Sequence, residues 1–178
     1  MTSISQATLV EAATAVGRMG TSECAQLADE VFLRQPNLLA SVLVLHQMGA
    51  SHDQLGVLVN ILLVAYQAMK TSGHSWPVIS EQTQDRCLRR LTGKMRVVEG
   101  LAPELVQRAV EQQVDEHGER YLLAFVYGQL RDHDLLGVKT EVEKYMMLAA
   151  LNLVECIAVA AVPGARTTTR TAAARSKR

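Results

Sequence analysis

Aromatic side chains are nearly missing from this chain: one Trp, two Phe and four Tyr in 178 residues. A core of ordinary size must therefore be filled by Leu, Val, Ala and Met, an aliphatic mix that suits helices better than sheets. Cysteine is equally sparse. Cys24, Cys87 and Cys156 are odd in number, widely spaced and free of any CxxC pair. That pattern excludes a disulfide framework and a zinc knuckle, and fits buried thiols in a reducing compartment. An excess of one charge sign is also lacking, because 18 bases balance 18 acids. A dedicated nucleic-acid-binding domain is usually strongly basic, so neutrality argues against one. No GxSxG, P-loop, GxGxxG or HExxH motif occurs, and no nucleophile–base pair can be assembled from spacing.

Long apolar runs are few. Leu55 to Met69 is interrupted by Gly56 and Asn60, and Met146 to Val162 contains Asn152 and Glu155. A carboxylate in the middle of so short a segment is costly in lipid, so both read as core helices rather than membrane anchors. Met1 to Val16 has neither a basic start nor a long apolar stretch, so it does not read as a signal peptide. A cytoplasmic location is the expectation from these features together.

What the sequence does contain is helix punctuation. Ser3 with Gln6, Ser51 with Gln54, and Thr140 with Glu143 have capping-box spacing. Pro36 and Pro103 suit the first turn of a helix, whereas Gly20, Gly49 and Gly100 suit the end of one. Between these signals apolar residues recur every three or four positions. Leu27, Val31 and Phe32 mark one side of a second helix, and Leu88, Leu91, Met95 and Val98 form a stripe on a fifth. Leu105, Val106, Ala109, Val110 and Val114 do the same for a sixth. The helices near 53–70 and 141–162 are apolar nearly all round and read as central. The expected fold class is all-α: a compact bundle of about seven or eight antiparallel helices with no sheet. Residues 1–162 form a single domain. Residues 163–178, with Arg166, Arg170, Arg175, Lys177 and Arg178 and no acid, read as a disordered basic tail.

Three features are candidates for function. The fifth helix carries Arg86, Arg89, Arg90, Lys94 and Arg96, with Arg86, Arg90 and Lys94 on one face. Such a face could meet phosphates or an acidic partner, or pair with Glu104, Glu111, Asp115 and Glu116 of an antiparallel sixth helix. His74 and Trp76 sit in the clearest internal loop, where Trp76 could plug one end of the bundle or anchor a partner. Five histidines are scattered. His46 reads as a core histidine, and only the run Asp132-His133-Asp134 could wrap a metal as a loop. It is a weak pattern, and no metal site or cofactor is expected.

The sequence therefore points to a non-enzymatic helical protein-interaction domain. Its partner-binding candidates are Arg86, Arg89, Arg90, Lys94, Trp76 and His74. Self-association is the companion expectation, because the two all-apolar helices could complete their burial across a dimer. Two alternatives are a nucleic-acid-associated regulator, using the basic helix and tail, and a metal-binding or enzymatic bundle.

Overall fold

A computed structural model describes residues 3–98 and 103–161. The proposed tail, Gly100 and part of the 96–106 region lie outside the described residues or their described side chains. Eight helices follow one another: α1 (Gln6–Arg18), α2 (Thr21–Arg34), α3 (Pro36–Gln47), α4 (His52–Thr71), α5 (Glu81–Val98), α6 (Pro103–Glu116), α7 (Arg120–Asp132) and α8 (Glu141–Ala160). There is no strand among the described residues.

The caps show why the chain breaks where it does. Ser51 and Thr140 accept from the backbone N–H of Gln54 and Glu143, whose side chains reach back to the cap N–H groups. These are the expected boxes, and each satisfies donors that a helix start leaves free. The first box is displaced. Ser5, not Ser3, caps α1 by accepting from Thr8. Gly20, expected to end α1, is instead the N-cap of α2, with the Glu23 carboxylate accepting its N–H, and Met19 is the C-cap of α1. Pro36 is the first residue of α3. That helix stops in a Schellman turn at Gly49, whose φ of +101° suits a residue without a Cβ.

Two helices hold the core. α4 touches α1, α2, α3, α7 and α8, and α8 touches α3, α4, α5 and α7, while α6 lies against α7. Eleven residues of α8 between Met146 and Ile157 are buried. Most of the apolar surface of α4 and α8 is thus covered within one chain, while Leu55, Val57 and Val59 of α4 are half-buried.

Three side-chain expectations fail on the same ground: a short helix has only one buried stripe. Leu27 and Val31 of α2 are buried, but Phe32, turned about 100° from Val31, is 61% exposed. His46 is at the surface, bonded to the Ala50 carbonyl and beside the His52 ring, and is not a core residue. On α6 Ala109, Val110 and Val114 are only half-buried, and Leu105 is exposed.

Asp132-His133-Asp134 is a helix stop. The Leu135 and Asp134 N–H groups return to the Leu130 and Arg131 carbonyls, with Asp134 at φ 57° and Leu135 buried behind it. Asp132 pairs with Arg131 and Asp134 with Lys139, so the run does not converge on one point. No group of three potential metal ligands occurs among the described residues. No helix among them is long and apolar enough to cross a membrane.

Candidate functional site

The basic face of α5 packs on α8, and its partner is a single buried carboxylate. Glu155 has only 6% of its side chain exposed. Its Oε2 accepts from Arg90 at 3.1 Å, and its Oε1 accepts from Lys94 at 3.3 Å. His117, in the link from α6 to α7, places Nε2 3.8 Å from the same Oε1. The imidazole orientation is set by its other nitrogen. Nδ1 accepts the Glu119 backbone N–H at 3.0 Å, so in the neutral ring the proton sits on Nε2, facing Glu155. His117 and then Lys94 favour the ionised carboxylate more strongly than burial opposes it. The Glu155 pKa is thereby lowered from 4.5 to about 2.

This arrangement differs from the pairing anticipated between α5 and α6. Glu155 lies on α8, the helix that α5 packs against, and it takes both Arg90 and Lys94. Among the described residues Arg86 reaches the Thr83 hydroxyl, and Arg89 reaches the Asp85 carbonyl of its own helix; both are exposed. The expected binding face is therefore divided, with two cations engaged inward and two facing water. Glu155 has a signal in the sequence, since it is the one acid in an otherwise apolar stretch. A charge in that position requires partners.

A second site surrounds Trp76. Segment 72–80 is not a loose loop but is tied to the α2–α3 junction by Gln35, a residue only 2% exposed. Its amide donates to the Pro77 carbonyl and accepts the Ile79 N–H, each at 2.9 Å. Asn37 donates to the Ile79 carbonyl at 2.8 Å. The Trp76 indole N–H donates to the Met69 carbonyl at 2.8 Å, which fixes the ring against the end of α4. His74 is exposed, its ring 6.2 Å from that of Trp76.

Between Trp76, α4 and the end of α2 lies a cleft of about 450 Å³, with Met69 and Tyr66 among its walls. Leu33, 76% exposed, and Val78, 59% exposed, also line it, and Phe32 lies one position before Leu33. On the polar side Glu30 accepts from Lys70 at 2.7 Å and from Tyr66 at 3.2 Å. The Lys70 hydrogen bond holds the Glu30 pKa below its ordinary value. Burial and the Glu30 charge push the Tyr66 hydroxyl up to about 12. Arg34, also in the wall, makes no ion pair among the described residues. Sequence reasoning found Trp76 and His74 but missed Gln35 and Leu33, which come from the α2–α3 region, and Val78, two positions from Trp76 in the same segment.

No family model, curated protein or solved structure matches this chain.

Proposed function

We propose that this chain is a non-enzymatic helical interaction domain that grips a protein partner at the Trp76 cleft. The observation that carries the reading is the solvent exposure of Leu33 and Val78, both lining a cleft that also contains Trp76. Single exposed apolar residues are ordinary, but two around a concave, aromatic-lined site are a pattern found at interfaces. Tryptophan and arginine are the residue types that most often dominate binding energy, and Arg34 stands in the same wall. With Glu30 occupied by Lys70, Arg34 gives the wall its surplus positive charge. The fitting partner segment carries a bulky apolar side chain with an acid beside it. Of the residues expected to bind, Trp76 and His74 belong to this surface.

The nucleic-acid reading is weaker, because Glu155 neutralises one charge of the Arg90–Lys94 pair. That leaves α5 less phosphate-binding charge than its sequence suggests, and the basic tail, on which this reading also draws, lies outside the described residues.

The test replaces Leu33 with a photo-cross-linking phenylalanine analogue in cells and identifies adducts by mass spectrometry. A partner cross-linked through an acid-flanked apolar segment, and lost in Trp76→Ala, is the expected result. Adducts no different from those of an analogue at exposed Arg89 overturn the reading. Adducts only with the chain itself replace it with self-association.

A further inference from the structure

Behind the Glu155 cluster lies a chamber that the interaction reading does not use and with which the Trp76 cleft shares no residue. It has a volume of about 430 Å³, is partly open to solvent, and is lined by residues of α5, α6, α7 and α8 together with Leu136. Leu91 and Met95 of α5, Val110 of α6 and Met147 and Leu151 of α8 make its lining apolar. The volume is in the lower part of the roughly 300–1,000 Å³ range of small-molecule sites. Apolar walls that face water favour an apolar body that would cover them.

One end of the chamber is not apolar. Lys94 and Gln113 line both the chamber and a second pocket of about 380 Å³ that contains Arg90, His117 and Glu155. These two residues therefore stand at the boundary between a charged mouth and an apolar interior. The Tyr127 side chain also lines the chamber. Burial and Glu155 raise the Tyr127 pKa, which keeps the hydroxyl protonated and able to donate. Lys94 and Gln113 thus bring an ammonium and an amide to one end of an apolar space, with the Tyr127 phenol in the same lining.

Lys94 is the only charged residue in the chamber wall among the described residues. Its side chain is 54% exposed, and its ammonium has three donors, of which Glu155 takes one. Glu155 keeps Arg90 if Lys94 turns towards a ligand, so the buried carboxylate is not abandoned.

We infer that this chamber binds a small amphiphilic monocarboxylic acid, with its apolar body among Leu91, Val110 and Met147 and its carboxylate at Lys94, beside Tyr127 and Gln113. A single ammonium next to the Glu155 carboxylate suits a monoanion better than a phosphate dianion, and it repels a cationic head. The apolar walls select the body, and the charged lip selects the head.

Isothermal titration calorimetry of the full chain tests this with decanoate, decanol and decyltrimethylammonium, each kept below its micelle-forming concentration. Decanoate is expected to bind saturably with a negative heat-capacity change, at least tenfold more tightly than decanol, and the cationic amphiphile not at all. Lys94→Gln is expected to weaken decanoate about tenfold while leaving decanol unchanged. Val110→Trp, which fills the chamber from α6 without touching Glu155, is expected to abolish both. Thermal melting confirms that each variant is folded, and Val110→Phe replaces Val110→Trp if the larger ring unfolds the chain. No saturable heat with decanoate, equal affinity for decanol, or full binding by the folded chamber-filling variant overturns the inference.

Discussion

Replacing Glu155 with Gln removes one charge from the α5–α8 interface while keeping the shape of the side chain. The lowering of its pKa from 4.5 to about 2 corresponds to roughly 3 kcal/mol of preference for the ionised form in the folded state. Arg90 and Lys94 are each 54% exposed, so water screens part of this attraction. A loss of about 2 kcal/mol near neutral pH is the expected cost of Glu155→Gln. The direction of the pH dependence follows from the direction of the shift. A carboxylate depressed on folding stabilises the protein above its unfolded value. That stabilisation is lost as pH falls from 4.5 through about 2. More than half of it is gone by about pH 3, where the unfolded chain is protonated and the folded one largely is not. Urea unfolding of both proteins, from about pH 6 to about pH 3, isolates this contribution, because the other carboxylates titrate alike in the two. The difference in stability is expected to shrink steadily as the pH falls. Equal stability near neutral pH, or a gap that stays constant down to about pH 3, refutes the reasoning.

Three further outcomes follow from particular contacts. Gln35→Ala leaves the Pro77 carbonyl and the buried Ile79 N–H without their partner. It should cost about 2–3 kcal/mol in urea unfolding and speed amide exchange at Ile79, whereas unchanged exchange would mean that the segment is held by other contacts. Asp134→Gly relieves a side chain held at φ 57° and loses only an exposed pair with Lys139. Its melting temperature should rise slightly, by the equivalent of about 0.5–1 kcal/mol, and a fall would show that the Asp side chain matters to the turn. Cys24 is half-buried, whereas Cys87 and Cys156 are buried side by side and burial pushes the Cys156 thiol up. A chromogenic disulfide reagent should therefore label one thiol per folded chain rapidly and the others only on unfolding, and three fast thiols would contradict this packing.

The elements most clearly written in the sequence are those with a start signal, a stop signal and a run of apolar residues between them. The α4 and α8 boundaries follow from Ser51, Gln54, Thr140 and Glu143, whose roles depend on neighbours three positions away. Where two polar residues compete to cap a helix, as at Ser3 and Ser5, local pattern does not choose. Ser3 is drawn elsewhere, its N–H and that of Ile4 donating to buried Glu119, more than a hundred positions along the chain. Phe32 shows the same limit for packing. Its spacing from Leu27 and Val31 allows more than one buried stripe, and only the position of α3 and α4 beside α2 decides which residues face inward.

The two sites are less legible than the fold. Basic residues on α5 are visible as a face, but which acid they meet depends on which helix lies alongside. Glu155 is 61 positions from Lys94, and no periodicity connects them. Trp76 is conspicuous in a sequence with no other tryptophan, yet its cleft also needs Glu30 and Leu33 from α2 and Met69 from α4.

Sequence alone determined that this chain is helical, where most of its helices begin and end, and that α4 and α8 are central. Those properties arise from backbone caps and side chains within a turn or two, a range over which neighbours in sequence are neighbours in space. Tertiary structure alone decided that Arg90 and Lys94 converge on Glu155, that Gln35 ties down the 72–80 segment, and that an apolar chamber opens beside Lys94. Each of these depends on how helices far apart in the chain are set against one another. That arrangement is governed by the fit of whole apolar surfaces and leaves no mark at any single position.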